Sequence, residues 1–219
     1  MQLSLAPGWG WLAMAQMILA AFLAAGFLTR AAGLALAALP LLGLAAFGPT
    51  FTAYAPHFIA PGLMLAVCGG GGLALDTHIG TDEWLRPQEK LAQAGWTVAF
   101  ALIGGGFVYL GVTFKLTQPT LIIAILEHGQ VPVLGLPLAV VALVMAGVEV
   151  IAGMLLAFRR LTRPIAILLI AAFTFFALTL GESPLLHANL YGAMAFYLLS
   201  GRTLRLPRPV RGGMKAVRP

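Results

Sequence analysis

The chain has 219 residues, of which 60% are hydrophobic and 9% charged, with a formal net charge of +6 and a mean hydropathy of +0.95. So little charge cannot clothe a soluble globule of this length, so the composition specifies an all-α integral membrane protein. The excess positive charge is no sign of a nucleic-acid partner, because Arg202, Arg205, Arg208, Arg211, Lys215 and Arg218 all follow the last apolar run and read as a topology signal facing anionic lipid.

A span needs roughly 20 apolar residues, and such runs lie near 9–29, 31–49, 58–75, 95–115, 136–158, 164–181 and 187–201. The expectation is seven transmembrane helices in the cell (inner) membrane. The opening "MQLSLAPGWGW" carries no positive side chain, so the first apolar segment is expected to stay as a helix and not to be cleaved as a signal. Arg30 follows it. Together with Arg159, Arg160 and Arg163 and the basic tail, Arg30 anchors one side of the bilayer, which places the N-terminus outside and the C-terminus inside.

The lone cysteine, Cys68, offers no disulfide and no CxxC redox pair. It opens the run "CGGGG" (68–72), and a second run, "IGGGF" (103–107), lies in the next span. Neither is followed by GK[ST], so both read as close helix packing or a local break and not as a phosphate loop. The connection "DTHIGTDEWLRPQEK" (76–90) is rich in acids although it falls on the inner side. Asp and Glu weigh little in the charge rule. On the outer side, "TQPTLIIAILEHGQVPVLGLP" (117–137) is too short to cross, and its core LIIAIL is expected to lie in the interface.

The run 136–158 holds one acid, Glu149. At 1.5 Å per residue Glu149 lies about 20 Å from Leu136 and about 15 Å from Arg159, near the bilayer midplane. There it must be protonated, paired, or turned to water or a ligand. Two readings stand: a neutral Glu hydrogen-bonded between helices, and a group that handles protons or touches a quinone. Ala146 and Gly153 share its face and admit a close neighbour. Lys115, preceded on its face by Gly104 and Gly111, is expected to snorkel to the outer interface; it pairs with Glu149 only if its helix runs deeper than the apolar run places it. His57, Glu127, His128, Glu182 and His187 all map to outer helix ends. An imidazole there can donate to a quinone carbonyl while a carboxylate takes a proton. No two His have metal-motif spacing, so no metal site is expected.

Sliding the chain on itself by 133 residues brings "LTR" at 28–30 onto "LTR" at 161–163 and Gln16 onto Glu149. A three-residue contraction further on would put His57 on His187. This suggests a repeat of three helices. The units so defined are 1–94, with three helices and an inner loop; 95–205, with four; and the tail 206–219.

Residues 95–205 resemble the DoxX/DoxD family of small four-helix membrane proteins. The resemblance rests on "GVTFKL" closing a helix with a Lys, on "GVEVIAGMLLAFRRLTRPIA" with an acid inside and bases at its end, and on "HANLYGAMAFYLLSGRTL" for the last helix. It implies kinship with a thiosulfate:quinone oxidoreductase subunit and with proteins found beside redox partners. The functional expectation is a non-catalytic or quinone-proximal subunit of a respiratory or redox complex, with no covalently bound cofactor and a quinone as the candidate ligand. Its expected partners are the bilayer and other membrane or redox subunits. Two other classes stay open: a structural or assembly subunit of a larger membrane complex, and a small-solute transporter. Whether the chain is itself an enzyme subunit is left undecided by its residues.

Overall fold

The computed structural model describes residues 10–133, 135–183 and 187–200. The basic tail lies outside them. Among the described residues all regular structure is helical: α1 (Trp11–Ala25), α2 (Thr29–Phe47, continued by a 3-10 turn Gly48–Ala53), α3 (Ala55–Cys68), α4 (Leu75–Ile79), α5 (Glu89–Leu110, continued by a π-helical turn Gly111–Leu116), α6 (Pro119–His128), α7 (Leu138–Ala157), α8 (Thr162–Leu180) and α9 (Ala188–Ser200).

Four of these stretches, Thr29–Ala53, Glu89–Leu116, Leu138–Ala157 and Thr162–Leu180, are long and apolar enough to cross a membrane. Large apolar side chains such as Met17, Leu41, Leu143 and Leu178 face outward, as they do when lipid tails are the solvent. This is the make-up of a membrane protein. Three expected spans are shorter than they were read: α1 and α3 have 15 and 14 residues, and α9 has 13. In α3 the cause is the glycine run, because Gly69 takes φ +72° and stops the helix at Cys68. The apolar stretch LIIAIL does form a short helix, α6, of 10 residues. Helix α5 starts six residues earlier than read, at Glu89 directly after the extended Pro87-Gln88 segment, with its own acid in the first turn, where the helix dipole favours it.

Helix α5 is the centre of the bundle, between α3 and α7, while α2 packs on α3 and α9 packs on both α8 and α3. Its Trp96, Phe100, Ile103 and Phe107 are buried against Met64 of α3, Leu156 of α7, Leu169 of α8 and Tyr197 of α9. Two crossings depend on glycine. A Cβ at Gly104 would stand 2.4 Å from the Gly153 carbonyl oxygen, and one at Gly33 would stand 2.7 Å from that of Gly62. At both places backbone touches backbone, the close approach that small residues permit in membranes.

The repeat is visible in the coordinates. Helices α2 and α8 share both boundaries at the offset of 133, as α3 and α9 share their starts. The turns before α2 and α8 agree bond for bond. Gly26 N–H donates to the Leu23 carbonyl and Phe27 to Phe22, as Arg159 donates to Leu156 and Arg160 to Leu155. Leu28 and Leu161 are both left-handed, at φ 46° and 48°, and the following Thr29 and Thr162 are both buried. Because the offset stays constant into α9, no contraction occurs. His57 therefore corresponds to Leu190, and its proposed pairing with His187 is corrected.

Candidate functional site

Three groups of polar residues and one groove are the chemically distinctive features of the bundle. The first group joins α5 to α7. Beyond the Gly104–Gly153 contact, the helices stay close at Gly111, whose added Cβ would lie 2.8 Å from Val150 Cγ2 and 3.5 Å from Glu149 Oε2. There α5 changes to π-helix, closed by the Thr117 N–H donating to the Val112 carbonyl five residues back. The Lys115 side chain, carried on this turn, reaches Glu149, with Nζ 2.6 Å from Oε2 and both side chains largely buried. Oε2 has no aligned hydrogen bond, so the contact is an ion pair held by distance. Lys115 does not snorkel outward as its position in the sequence suggested, because a paired carboxylate within reach is the better partner for a half-buried ammonium. Such wide turns inside helices are frequent at functional positions.

The second group comprises His57, Glu127, His128, Glu182 and His187. His57 is 6% exposed, and its Nε2 makes no hydrogen bond among the described residues. Its ring centre is 5.5 Å from that of Phe107, Phe107 stacks on Phe173 at 5.9 Å, and Phe173 stacks on His187 at 6.2 Å. His187 Nε2 lies 3.3 Å from Glu182 Oε2, and Asn189 Nδ2 donates to the His57 carbonyl. His57, His187 and Glu182 thus share one aromatic string. Glu127 and His128 are exposed at the end of α6, and Gly129 beside them packs on Leu180. They occupy the same end of the bundle as Glu182 without joining the string.

The third group is at the opposite end of the bundle. The Arg30 guanidinium donates to the Ala66 and Val67 carbonyls, closing the end of α3, and to the Asp82 carbonyl. Asp76 went unremarked in the sequence. Its carboxylate accepts from the Leu28 N–H at 2.6 Å, the Thr29 N–H at 2.7 Å and the Thr81 hydroxyl at 2.7 Å. It caps α2 from 47 residues away, where the N-cap residue itself supplies no side-chain bond. Burial pushes the Asp76 carboxyl up, but donation from Thr29, Thr81 and Leu28 outweighs it and holds the group below the usual carboxylate range. The available signal was an acid placed directly after "GGGGLAL" on a side where acids do not help the topology. Of the other arginines expected to mark one face of the bilayer, Arg159 lies over the Phe100 ring at 5.2 Å, while Arg160 and Arg163 are exposed.

A groove of about 1150 Å³ runs along the flank where α1, α2 and α3 meet α9. Met64, Leu65 and Cys68 of α3 and Gly192, Ala193 and Phe196 of α9 line it, with Asn189 near the start of α9 and Gly69–Gly71 after the end of α3. Among the described residues no charged side chain lines it.

No protein-family model, curated protein or solved structure matches this chain. The likeness to the DoxX/DoxD proteins is therefore carried by the quoted residues alone, and what the chain does has to be argued from its own geometry.

Proposed function

We propose that the chain is a seven-span membrane subunit, N-terminus outside and C-terminus inside, that holds a quinone beside a redox partner. The observation that carries this reading is the groove between the two repeats. Among the described residues its lining is mostly apolar along the bundle, with the Asn189 amide, the Thr29 hydroxyl and the backbone of Gly69–Gly71 as polar groups, while the Arg30 guanidinium beside Gly69 is engaged by the Ala66 and Val67 carbonyls. A long-tailed neutral molecule with carbonyl oxygens suits such a lining. When bound, the quinone would supply two-electron redox chemistry. The chain's own part is to seat the tail between α3 and α9 and to present donors to the head.

A second reading, a structural subunit, is favoured by the Lys115–Glu149 pair: a carboxylate already engaged inside the bundle joins two helices without any external ligand.

The groove can be closed without disturbing the core. A Cβ at Gly192 meets nothing within 4 Å, so Gly192→Leu places its side chain in open space and adds helix propensity of up to about 1 kcal/mol. Extraction in mild detergent followed by quantification of bound quinone should show at least a tenfold loss in this variant at unchanged thermal stability. Retention equal to the parent, or no quinone with the parent, would discard the quinone reading and leave the structural one.

A further inference from the structure

The two ends of the groove differ in the donors they hold. At the end of α3 the groove is lined by Thr29 and Gly69–Gly71. Thr29 is 2% exposed, and its Oγ1, although near the Asp76 carboxylate, makes no hydrogen bond in this arrangement. The N–H groups of Gly70 and Gly71 donate to no acceptor among the described residues. An added Cβ at Gly70 would stand 2.7 Å from Thr29 Oγ1, so only a residue without a side chain lets the backbone share this corner with the hydroxyl. Behind it lies a cation: Arg30 Nη2 is 3.2 Å from where a Cβ on Gly69 would be, and among the described residues the printed bonds of that guanidinium use Nε and Nη1 alone. At the start of α3 the groove has Asn189, whose amide already donates to the His57 carbonyl. From His57 to Gly69 is about 18 Å along a helix.

We infer that the carbonyl head of the quinone sits at the Thr29–Gly71 corner, with a ring oxygen accepting from the Thr29 hydroxyl and the Gly70 and Gly71 N–H groups, and with the tail running along α3 and α9 toward Asn189. A buried hydroxyl and two free N–H groups around one cavity end are donors without an acceptor, and a buried polar group left so costs free energy that a ligand oxygen removes. The Arg30 charge close behind favours whichever atom there carries the most negative charge, which in a quinone is a carbonyl oxygen. Pro61, Met64, Ala193 and Phe196 supply the apolar wall for the tail. The glycine run at 69–71 thus acts as a backbone binding surface as well as a helix stop. This assignment rests on the quinone reading of the groove and adds to it the orientation of the ligand and the residues that hold its head.

Photolabelling of the detergent-solubilised parent chain with an azidobenzoquinone bearing a decyl tail, followed by peptide mapping, tests the orientation. The label should fall on residues 68–71 and be competed by unmodified decylbenzoquinone. A competed label around Asn189 would overturn the head position while leaving the quinone reading intact. No competed label anywhere, with no quinone copurifying, would remove the quinone reading and this inference with it. The mapping uses the parent alone, so it decides the orientation whatever the variants do. Thr29→Val keeps the shape of the side chain and deletes the idle hydroxyl. It should raise the decylbenzoquinone concentration that gives half-protection by about fivefold or more, the loss of one hydrogen bond, at unchanged melting temperature, and Thr29→Ser should restore the parent value. Equal protection in the parent and Thr29→Val would overturn the role of Thr29 in holding the head.

Discussion

Removal of the Asp76 carboxylate tests the packing logic of the inner end most directly. Asp76→Ala deletes three hydrogen bonds at 2.6–2.7 Å. Bonds to a charged acceptor contribute about 1.5–3 kcal/mol each. The Leu28 N–H is only partly buried and the Thr81 hydroxyl can rotate toward water, whereas the Thr29 N–H is buried and stays unsatisfied. The expected loss is about 3–5 kcal/mol, read as the shift in thermal or denaturant unfolding of the detergent-solubilised protein. Asp82→Ala is the control, since the hydrogen bond Arg30 makes there is to the Asp82 backbone carbonyl and the carboxylate acts on Arg30 only through its charge; that variant should stay within about 0.5 kcal/mol of the parent. The pH dependence has a definite sign. The folded carboxyl of Asp76 is held below its ordinary value, so its contribution is fully present above about pH 4 and is lost as pH falls through the lower folded value. Asp76→Ala should therefore flatten the acid limb of the stability profile. A variant that unfolds like the parent at neutral pH would refute the claim that this carboxylate fastens α2 to the inner loop.

Two further outcomes follow from the α5–α7 contact. Glu149→Leu strands the Lys115 ammonium and should cost about 1–3 kcal/mol, less than a fully buried pair because both groups keep some exposure, while adding Lys115→Met should recover most of the loss in a double-mutant cycle; additive single effects would rule out the pairing. Gly104→Ala drives a Cβ to 2.4 Å from the Gly153 carbonyl and should destabilise by about 1–3 kcal/mol, whereas Gly105→Ala, with nothing within 4 Å of its added Cβ, should be neutral or stabilising by up to about 1 kcal/mol. The opposite signs are measured by melting the two variants side by side.

What the sequence revealed and what it concealed divide along the range of the interaction. The apolar runs are sums over neighbouring residues, so the helices and the separate LIIAIL segment could be located without coordinates. The LTR offset was equally plain, because it is a local turn written twice. Asp76 was invisible as a cap, since nothing near residue 76 announces that its carboxylate belongs to a helix starting at Thr29. The Lys115–Glu149 pair was hidden for a different reason. Read from the apolar run, Lys115 falls at the end of its span and Glu149 in the middle of another, so the pair required a depth the sequence does not give; in the structure Lys115 is carried on the wide turn Gly111–Leu116 and its ammonium meets Glu149. The string of rings linking His57 to His187 depends on Phe107 and Phe173, which lie on two other helices and carry no sign of it in the sequence.

The wide turn at Gly111–Leu116 has a consequence for how this region can vary. In an uninterrupted helix every residue is phased to every other at about 100°, so a change of register anywhere turns all later side chains. A π-helical turn contains one residue more than an α-turn and is a natural place for a single insertion or deletion to be absorbed. The segment before it, where Gly104 meets Gly153, and the segment bearing Lys115 are thereby uncoupled in rotation. The close crossing that holds α5 against α7 can remain fixed while the direction of the ammonium is reset, so the charge can be re-aimed without rebuilding the bundle.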